Sequence, residues 1–119
     1  MKKRFFNLAK KLSQKSDYQA HKLGAVIVRG GEVVGIGFNK RKTHPLSKTR
    51  FNNIHAELSA VLNSGLENLQ GCHVYVYRET KQGQIAMARP CGHCMDILKK
   101  LSVRRVYYST PNGFQKERV

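Results

Sequence analysis

Apolar residues Phe5, Leu8, Ala9 and Leu12 recur near one face of a helix of 3.6 residues per turn, and lysines and arginines fill much of the rest of 2–16. The pattern predicts a basic amphipathic helix at the start of the chain. Two partners suit its apolar side, a membrane surface and the protein's own sheet, and the sheet is the better fit. The period then shortens to that of strands. Residues 23–28 (Leu-Gly-Ala-Val-Ile-Val) and 32–38 (Glu-Val-Val-Gly-Ile-Gly-Phe) are β-rich, and Gly30-Gly31 between them supplies the positive φ of a tight hairpin turn. Residues 39–53 break the periodicity. This stretch carries Lys40, Arg41, Lys42, Lys48 and Arg50, with no acidic residue from Val33 to Ala56. It reads either as a functional loop or as a solvated connector.

A second helix is predicted over 54–63, with Ile54, Leu58, Val61 and Leu62 on one side and Gly65 just past its end. Residues 73–77 alternate as a strand, and 80–89 read as a loop. Pro90 is expected at the first position of a third helix, which runs through Met95, Ile97, Leu98 and Leu101. A strand over 104–108, a turn at Pro111-Asn112-Gly113 and a short antiparallel strand over 114–119 complete the chain. The order α, β, β, α, β, α, β, β predicts an α/β layered domain with a mixed sheet. With no repeat, low-complexity tract or linker, residues 1–119 read as one domain.

Composition narrows the function classes. The hydrophobic share of 40% and charged share of 24% are those of a globular chain, and no apolar run is long enough to cross a bilayer. Lys and Arg exceed Asp and Glu by 22 to 7, a net charge of +15. An excess of that size points to polyanions such as nucleotides, nucleic acid or an anionic surface, against the plainer reading of a solubilising basic surface. Three cysteines are too few, and odd in number, for a secreted disulfide scaffold. The opening Met-Lys-Lys-Arg-Phe-Phe begins like a signal peptide, but Asn7, Lys10, Lys11 and Gln14 interrupt any apolar core. A cytoplasmic protein with reduced thiols is expected, in which clustered Cys and His serve metal binding or catalysis.

Two segments carry such a cluster: His55-Ala56-Glu57 and Pro90-Cys91-Gly92-His93-Cys94, each opening a predicted helix. Cys91 and Cys94, three apart, share a helix face at the positive end of the dipole, which favours thiolates. They make half of a zinc site. A redox Cys-x-x-Cys pair is the competing reading, but it lacks the flanking βαβ pattern and leaves His55 and Glu57 unexplained. His55, Cys91 and Cys94 form a set of three, which leaves a fourth position for water, as in catalytic zinc sites. His93 is a weaker fourth candidate because it points off the shared face, and Cys72 reads as a small buried filler. Residues two apart in a helix differ by about 200°, so His55 and Glu57 converge only if His55 stands at the helix mouth. Glu57 then lies near the water without ligating and can move its proton.

The pattern His-Ala-Glu … Pro-Cys-x-x-Cys resembles the zinc-dependent cytidine and deoxycytidylate deaminase superfamily. The likeness runs from about Leu23 to Tyr108 and takes in the hairpin (Gly24-Ala25-Val26-Ile27-Val28, then Gly35-Ile36-Gly37-Phe38-Asn39) and the strand Arg105-Val106-Tyr107-Tyr108. It implies a cytidine-deaminase-like three-layer α/β/α domain with a five-stranded mixed sheet. It implies Zn2+ held by His55, Cys91 and Cys94, with Glu57 as the proton shuttle in hydrolysis of cytosine to uracil. It also implies that Ala56 offers backbone groups to the base, that Asn39 contacts the sugar, and that Tyr107 or Tyr108 walls the base pocket, unless those tyrosines are ordinary strand core. The substrate expected first is a cytosine-containing nucleotide, dCMP or CMP, whose phosphate the basic loop with His44 would receive. Cytosine in single-stranded DNA or RNA is the alternative, favoured by the charge. A tRNA adenosine deaminase and a non-enzymatic basic zinc module that binds nucleic acid are weaker readings. No membrane partner is expected. Relatives commonly form homo-oligomers, which a chain this small would also favour, though no interface is legible. The antiparallel last strand departs from relatives in which it runs parallel.

Overall fold

The structure, a computed structural model, describes residues 3–16, 21–39 and 55–119. Ile54 and the basic stretch 40–50, His44 included, lie outside the described residues. The order is α1 (Lys3–Ser13), β1 (His21–Arg29), β2 (Glu32–Phe38), α2 (Ala56–Ser64), β3 (Cys72–Thr80), β4 (Ile85–Ala86), α3 (Gly92–Lys100), β5 (Arg105–Thr110) and β6 (Gly113–Arg118).

Hairpin β1–β2 forms where the glycine pair predicts it, with Gly30 and Gly31 both at positive φ (58° and 83°). The sheet runs β2-β1-β3-β5-β6. Only the β3–β5 pairing is parallel, and α3 lies within its crossover, while β5–β6 is an antiparallel hairpin. The expected five strands form this path, and a sixth was missed. Residues 80–89, expected as a loop, contain β4, two residues that pair with Arg78 and Glu79. The Thr80 amide donates to the Gln84 carbonyl (2.8 Å) and so folds the chain back. Two residues are too few to show an alternation.

Strand alternation divides the core into two. On one face Ala25, Ile27, Val74, Val76, Val106 and Tyr108 pack with Ala56 and Ala60 of α2 and Leu98 of α3. On the other, Val26, Val28, Tyr75, Tyr77 and Tyr107 pack under Phe5, Phe6, Ala9 and Leu12 of α1. This is the three-layer α/β/α arrangement expected. Helix α1 thus buries its apolar side on its own sheet, as predicted, although Phe6 rather than Leu8 lies at the centre of that side. Phe6 stacks on Phe114 of β6 at 4.0 Å and meets Tyr75 edge-on at 5.1 Å. Burying such a ring contributes about 1.5–3 kcal/mol.

Glycines set how closely the helices approach. A Cβ on Gly24 would lie 2.0 Å from the Ala9 carbonyl oxygen of α1, and one on Gly37 would lie 2.4 Å from the Ala60 nitrogen of α2. Both helices therefore rest directly on strand backbone. For α2 that contact places its first turn over the end of β2.

Candidate active site

Two helix N-termini meet at the site. His55 is the N-cap of α2, in extended conformation (φ −68°, ψ 149°), and its carbonyl accepts the Ser59 amide at 2.9 Å. Cys91 is the N-cap of α3 (φ −66°, ψ 165°), and its carbonyl accepts the Met95 amide at 2.9 Å. This corrects the helix start. Pro90 is not the first helical residue, because Cys91 remains extended and Gly92 opens the helix. The preceding segment is tied alongside β5, with the Ala88 amide donating to the Ser109 carbonyl at 2.8 Å. Neither side chain makes an N-capping hydrogen bond. Both are turned to other use.

The His55 Nδ1 atom lies 3.2 Å from Cys94 Sγ and 3.5 Å from Cys91 Sγ. One ligand atom from each of the three residues lies within 4.8 Å of the other two. Among the described residues no other such group of His, Cys, Asp or Glu exists, and His93 is not part of this one. Cys72 is fully buried in the core of β3, in the filler role expected of it. An imidazole nitrogen and two sulfurs converging from two helix mouths are a borderline-soft donor set suited to Zn2+, so the residues fit the metal.

Electrostatics at the cluster favour a cation. The Cys91 thiol is lowered to about 3, first by the hydrogen bond from Cys94 and then by that to His55. Cys94 moves the opposite way, pushed up by its bond to Cys91, by burial and by the Glu57 carboxylate. Of the two directions, that of Cys91 is the one the half-open cap position and the neighbouring imidazole support. The pair then keeps one proton, on the buried sulfur. His55 is raised, chiefly by its bond to Cys91. Glu57, in the first turn of α2, is only 4% exposed, and burial raises its carboxyl above the ordinary range. Its side chain hydrogen-bonds Cys94. The helix-mouth position expected for His55 is what allows Glu57, two residues on, to reach the same cluster.

Ala56 and Tyr108 lie in the layer of α2 and α3, and Tyr107 lies in that of α1. Ala56 is fully buried at the start of α2, against β2. The Asn39 side chain is buried, and its Oδ1 accepts the Leu23 amide at 3.0 Å while the Asn39 backbone N–H donates to the Leu23 carbonyl at 3.2 Å. That reciprocal pair closes the end of the hairpin. Tyr107 and Tyr108 are adjacent in a strand and face opposite sides. Tyr108 belongs to the layer of α2 and α3, whereas Tyr107 lies under α1, stacked 4.6 Å from Tyr75. The sheet therefore separates Tyr107 from the cluster.

Arg89 was not anticipated. Two residues before Cys91, its Nε donates to Glu117 Oε2 at 2.6 Å and its Nη2 to Oε1 at 3.2 Å, and Tyr108 hydrogen-bonds Glu117. The fork ties the metal-binding segment to β6. A separation of 28 residues left no sequence pattern to find it by.

Comparison with known proteins gives this geometry its family. The profile described as "Cytidine and deoxycytidylate deaminase zinc-binding region" matches residues 1–110. The chain belongs to this family. It is accordingly a hydrolytic deaminase of the cytidine/dCMP type, a family in which zinc is the typical metal. A deoxycytidylate deaminase of Mycobacterium phage D29 is 27% identical over 125 residues, which cover 87% of this chain and 90% of that one. Among solved structures, a cytidine deaminase from Burkholderia pseudomallei superposes with a TM-score of 0.72 at 21% identity, covering 99% of this chain and 92% of that one. The dCMP deaminase of cyanophage S-TIM5, in complex with dCMP and dUMP, gives a TM-score of 0.65 at 22% identity, covering 91% and 82%. At these identities the structural likeness establishes the shared fold. No helix among the described residues is long and apolar enough to cross a membrane.

Proposed function

We propose that the protein converts the cytosine of a free nucleotide, dCMP or CMP, to uracil with release of ammonia. The observation that carries this reading is the buried Glu57 carboxylate hydrogen-bonded to Cys94 within a cluster of three metal-ligating side chains. His55, Cys91 and Cys94 would hold Zn2+, which when bound supplies the Lewis acidity that makes water nucleophilic near neutral pH. Glu57 takes one proton from the attacking water and gives it to the ring nitrogen N3 as the C4–O bond forms. It then delivers the second water proton to the amino group, the C4–N bond breaks, ammonia leaves and the C4 carbonyl remains. Burial suits Glu57 to this work, because a carboxyl raised above its ordinary range holds the proton between the two transfers. The backbone of Ala56, between ligand and shuttle, would orient the base. The nucleotide reading is supported by the phage relative, which this chain matches over 90% of its length, and by the excess of cations available for a phosphate. A net charge of +15 exceeds what one phosphate needs and favours a second reading, cytosine within single-stranded DNA or RNA.

The deciding experiment assays the zinc-loaded protein against dCMP, CMP, deoxycytidine, cytidine, single-stranded oligonucleotides and tRNA, scored by the mass change of deamination. Turnover of the free nucleotide is expected, and conversion confined to oligonucleotides would replace it with the second reading. Glu57→Gln should retain zinc and lose about 10²–10⁴-fold in turnover. Retained turnover would exclude the shuttle role.

A further inference from the structure

The sheet face opposite the metal cluster has features that the deamination chemistry does not use. Helix α1 contains no acidic residue, and its Arg4, Lys10 and Lys11 are exposed. Phe6 stacks on Phe114 of β6, so this helix lies beside the sheet edge. Alternation on β5 and β6 puts further cations on the same side. Arg105 lies two residues from Tyr107 on its face, and the cross-strand partners of Arg105 and Tyr107 are Arg118 and Lys116, both exposed. The nearby carboxylate, Glu79, is buried and accepts hydrogen bonds from Ser13 and Gln14. The solvent side of this face is therefore strongly cationic.

Next to Arg4 and Arg105 lies a groove of ≈ 390 Å3 lined by Phe5, the His73, Tyr75 and Tyr107 rings and the turn glycines Gly30 and Gly31. His73 and Tyr107 lie nearly parallel (15°) with centroids 5.6 Å apart. Arg4 connects helix and groove, since its guanidinium donates to the Gly31 carbonyl at 3.3 Å and sits 4.7 Å over the Phe5 ring. Cations that track a backbone beside an accessible aromatic ring are the general chemistry of single-strand binding, and of the three rings His73 is the half-buried one, over the buried Tyr75 and Tyr107. A membrane does not fit, because the apolar side of α1 is already buried. A second copy of the chain does not fit, because the surface would meet its own charge.

We propose that this face, formed by α1, β5 and β6, is a docking surface for single-stranded nucleic acid, with Arg4, Lys10, Lys11, Arg105, Lys116 and Arg118 taking phosphates and the His73–Tyr107 groove taking a base. The surface is separated from the metal cluster by the sheet, so docking does not depend on which substrate the cluster turns over. The test uses the zinc-loaded full chain and fluorescent oligo(dT), which contains no cytosine and cannot be deaminated. Binding followed by anisotropy is expected to weaken with salt, with a slope of about −0.7 for each phosphate contacted. Lys10→Glu/Lys11→Glu should lower affinity at least about tenfold and flatten that slope, with thermal stability, zinc content and nucleotide turnover unchanged. His73→Ala should weaken oligo(dT) several-fold and leave inorganic polyphosphate unaffected. Wild-type affinity in the lysine double variant would overturn the proposal. So would binding of polyphosphate or phosphatidylserine vesicles as tight as that of oligo(dT), or the absence of salt-dependent binding.

Discussion

Replacing Gly37 by alanine tests whether close approach of α2 to β2 builds the metal cluster. The added Cβ would lie 2.4 Å from the Ala60 nitrogen, 2.7 Å from the Ala56 carbonyl oxygen and 2.8 Å from the Ser59 carbonyl carbon, whereas ordinary contact begins at 3.4 Å. All three are backbone atoms, so no side-chain rotation relieves the clash. Helix or strand must yield by about 1 Å in an interior packed as densely as a crystal. Overpacking of this kind costs about 1–3 kcal/mol. At the middle of that range, a chain of this size should lose roughly 6–12 °C in Tm. The same shift moves His55 and Glu57, and metal ligation tolerates only about 0.2 Å, so zinc affinity should fall at least about tenfold. Thermal denaturation with and without zinc, and competition with a chelator, measure the two effects. Gly92→Ala is the control: it is a glycine within the metal-binding segment, yet its Cβ meets nothing within 4 Å. At a helical position it should be neutral or stabilise by up to about 1 kcal/mol. Unchanged stability and zinc affinity in Gly37→Ala, or equal damage in Gly92→Ala, would refute the reasoning.

Further outcomes follow from the site. Glu57 is raised in the metal-free fold, so the stability it contributes is fully present below its unfolded pKa and is lost as pH rises through the folded one. Glu57→Gln should therefore raise the Tm of the metal-free protein at neutral pH, with the gap closing in acid, as a Tm series across pH would record. Zinc uptake at neutral pH should release the Cys94 proton and part of that on His55 but none from Cys91, already a thiolate. Calorimetry in buffers of different ionisation enthalpy counts those protons, and affinity should rise with pH. Tyr107→Leu should lower Tm, because a ring stacked on Tyr75 is lost from the α1 layer, and leave KM for the free nucleotide unchanged. A raised KM would place that ring at the catalytic pocket.

What the sequence by itself determined is local. The α1 amphipathic pattern, the Gly30-Gly31 turn, the Pro111-Asn112-Gly113 return and the spacing of Cys91 to Cys94 each express a rule that acts within one or two turns of chain, so each was legible. The expected position of His55 at a helix mouth followed from helix geometry alone, because no other placement lets Glu57 reach the same point. The two-residue β4 exceeded that reach, since its pairing with β3 is made by backbone hydrogen bonds that leave no side-chain period. The start of α3 shifted by two residues, from Pro90 to Gly92, because Cys91 takes the extended cap conformation.

Tertiary structure alone decided which side of the sheet each residue serves. Tyr107 and Tyr108 are equivalent in composition and neighbourhood, and only the placing of α1 on one face and of α2 and α3 on the other assigns Tyr108 to the layer of the metal cluster. Pairing of β1 with β2 is what brings Asn39 against the Leu23 backbone, 16 residues away. The Arg89–Glu117 fork exists because β6 returns beside β5, and the convergence of His55 with Cys91 and Cys94 across 36 and 39 residues exists because the N-termini of two helices on one sheet face meet. Such contacts depend on strand order and on which face each helix covers. Those are properties of the whole packed chain, fixed by long-range pairing and burial that no local periodicity encodes.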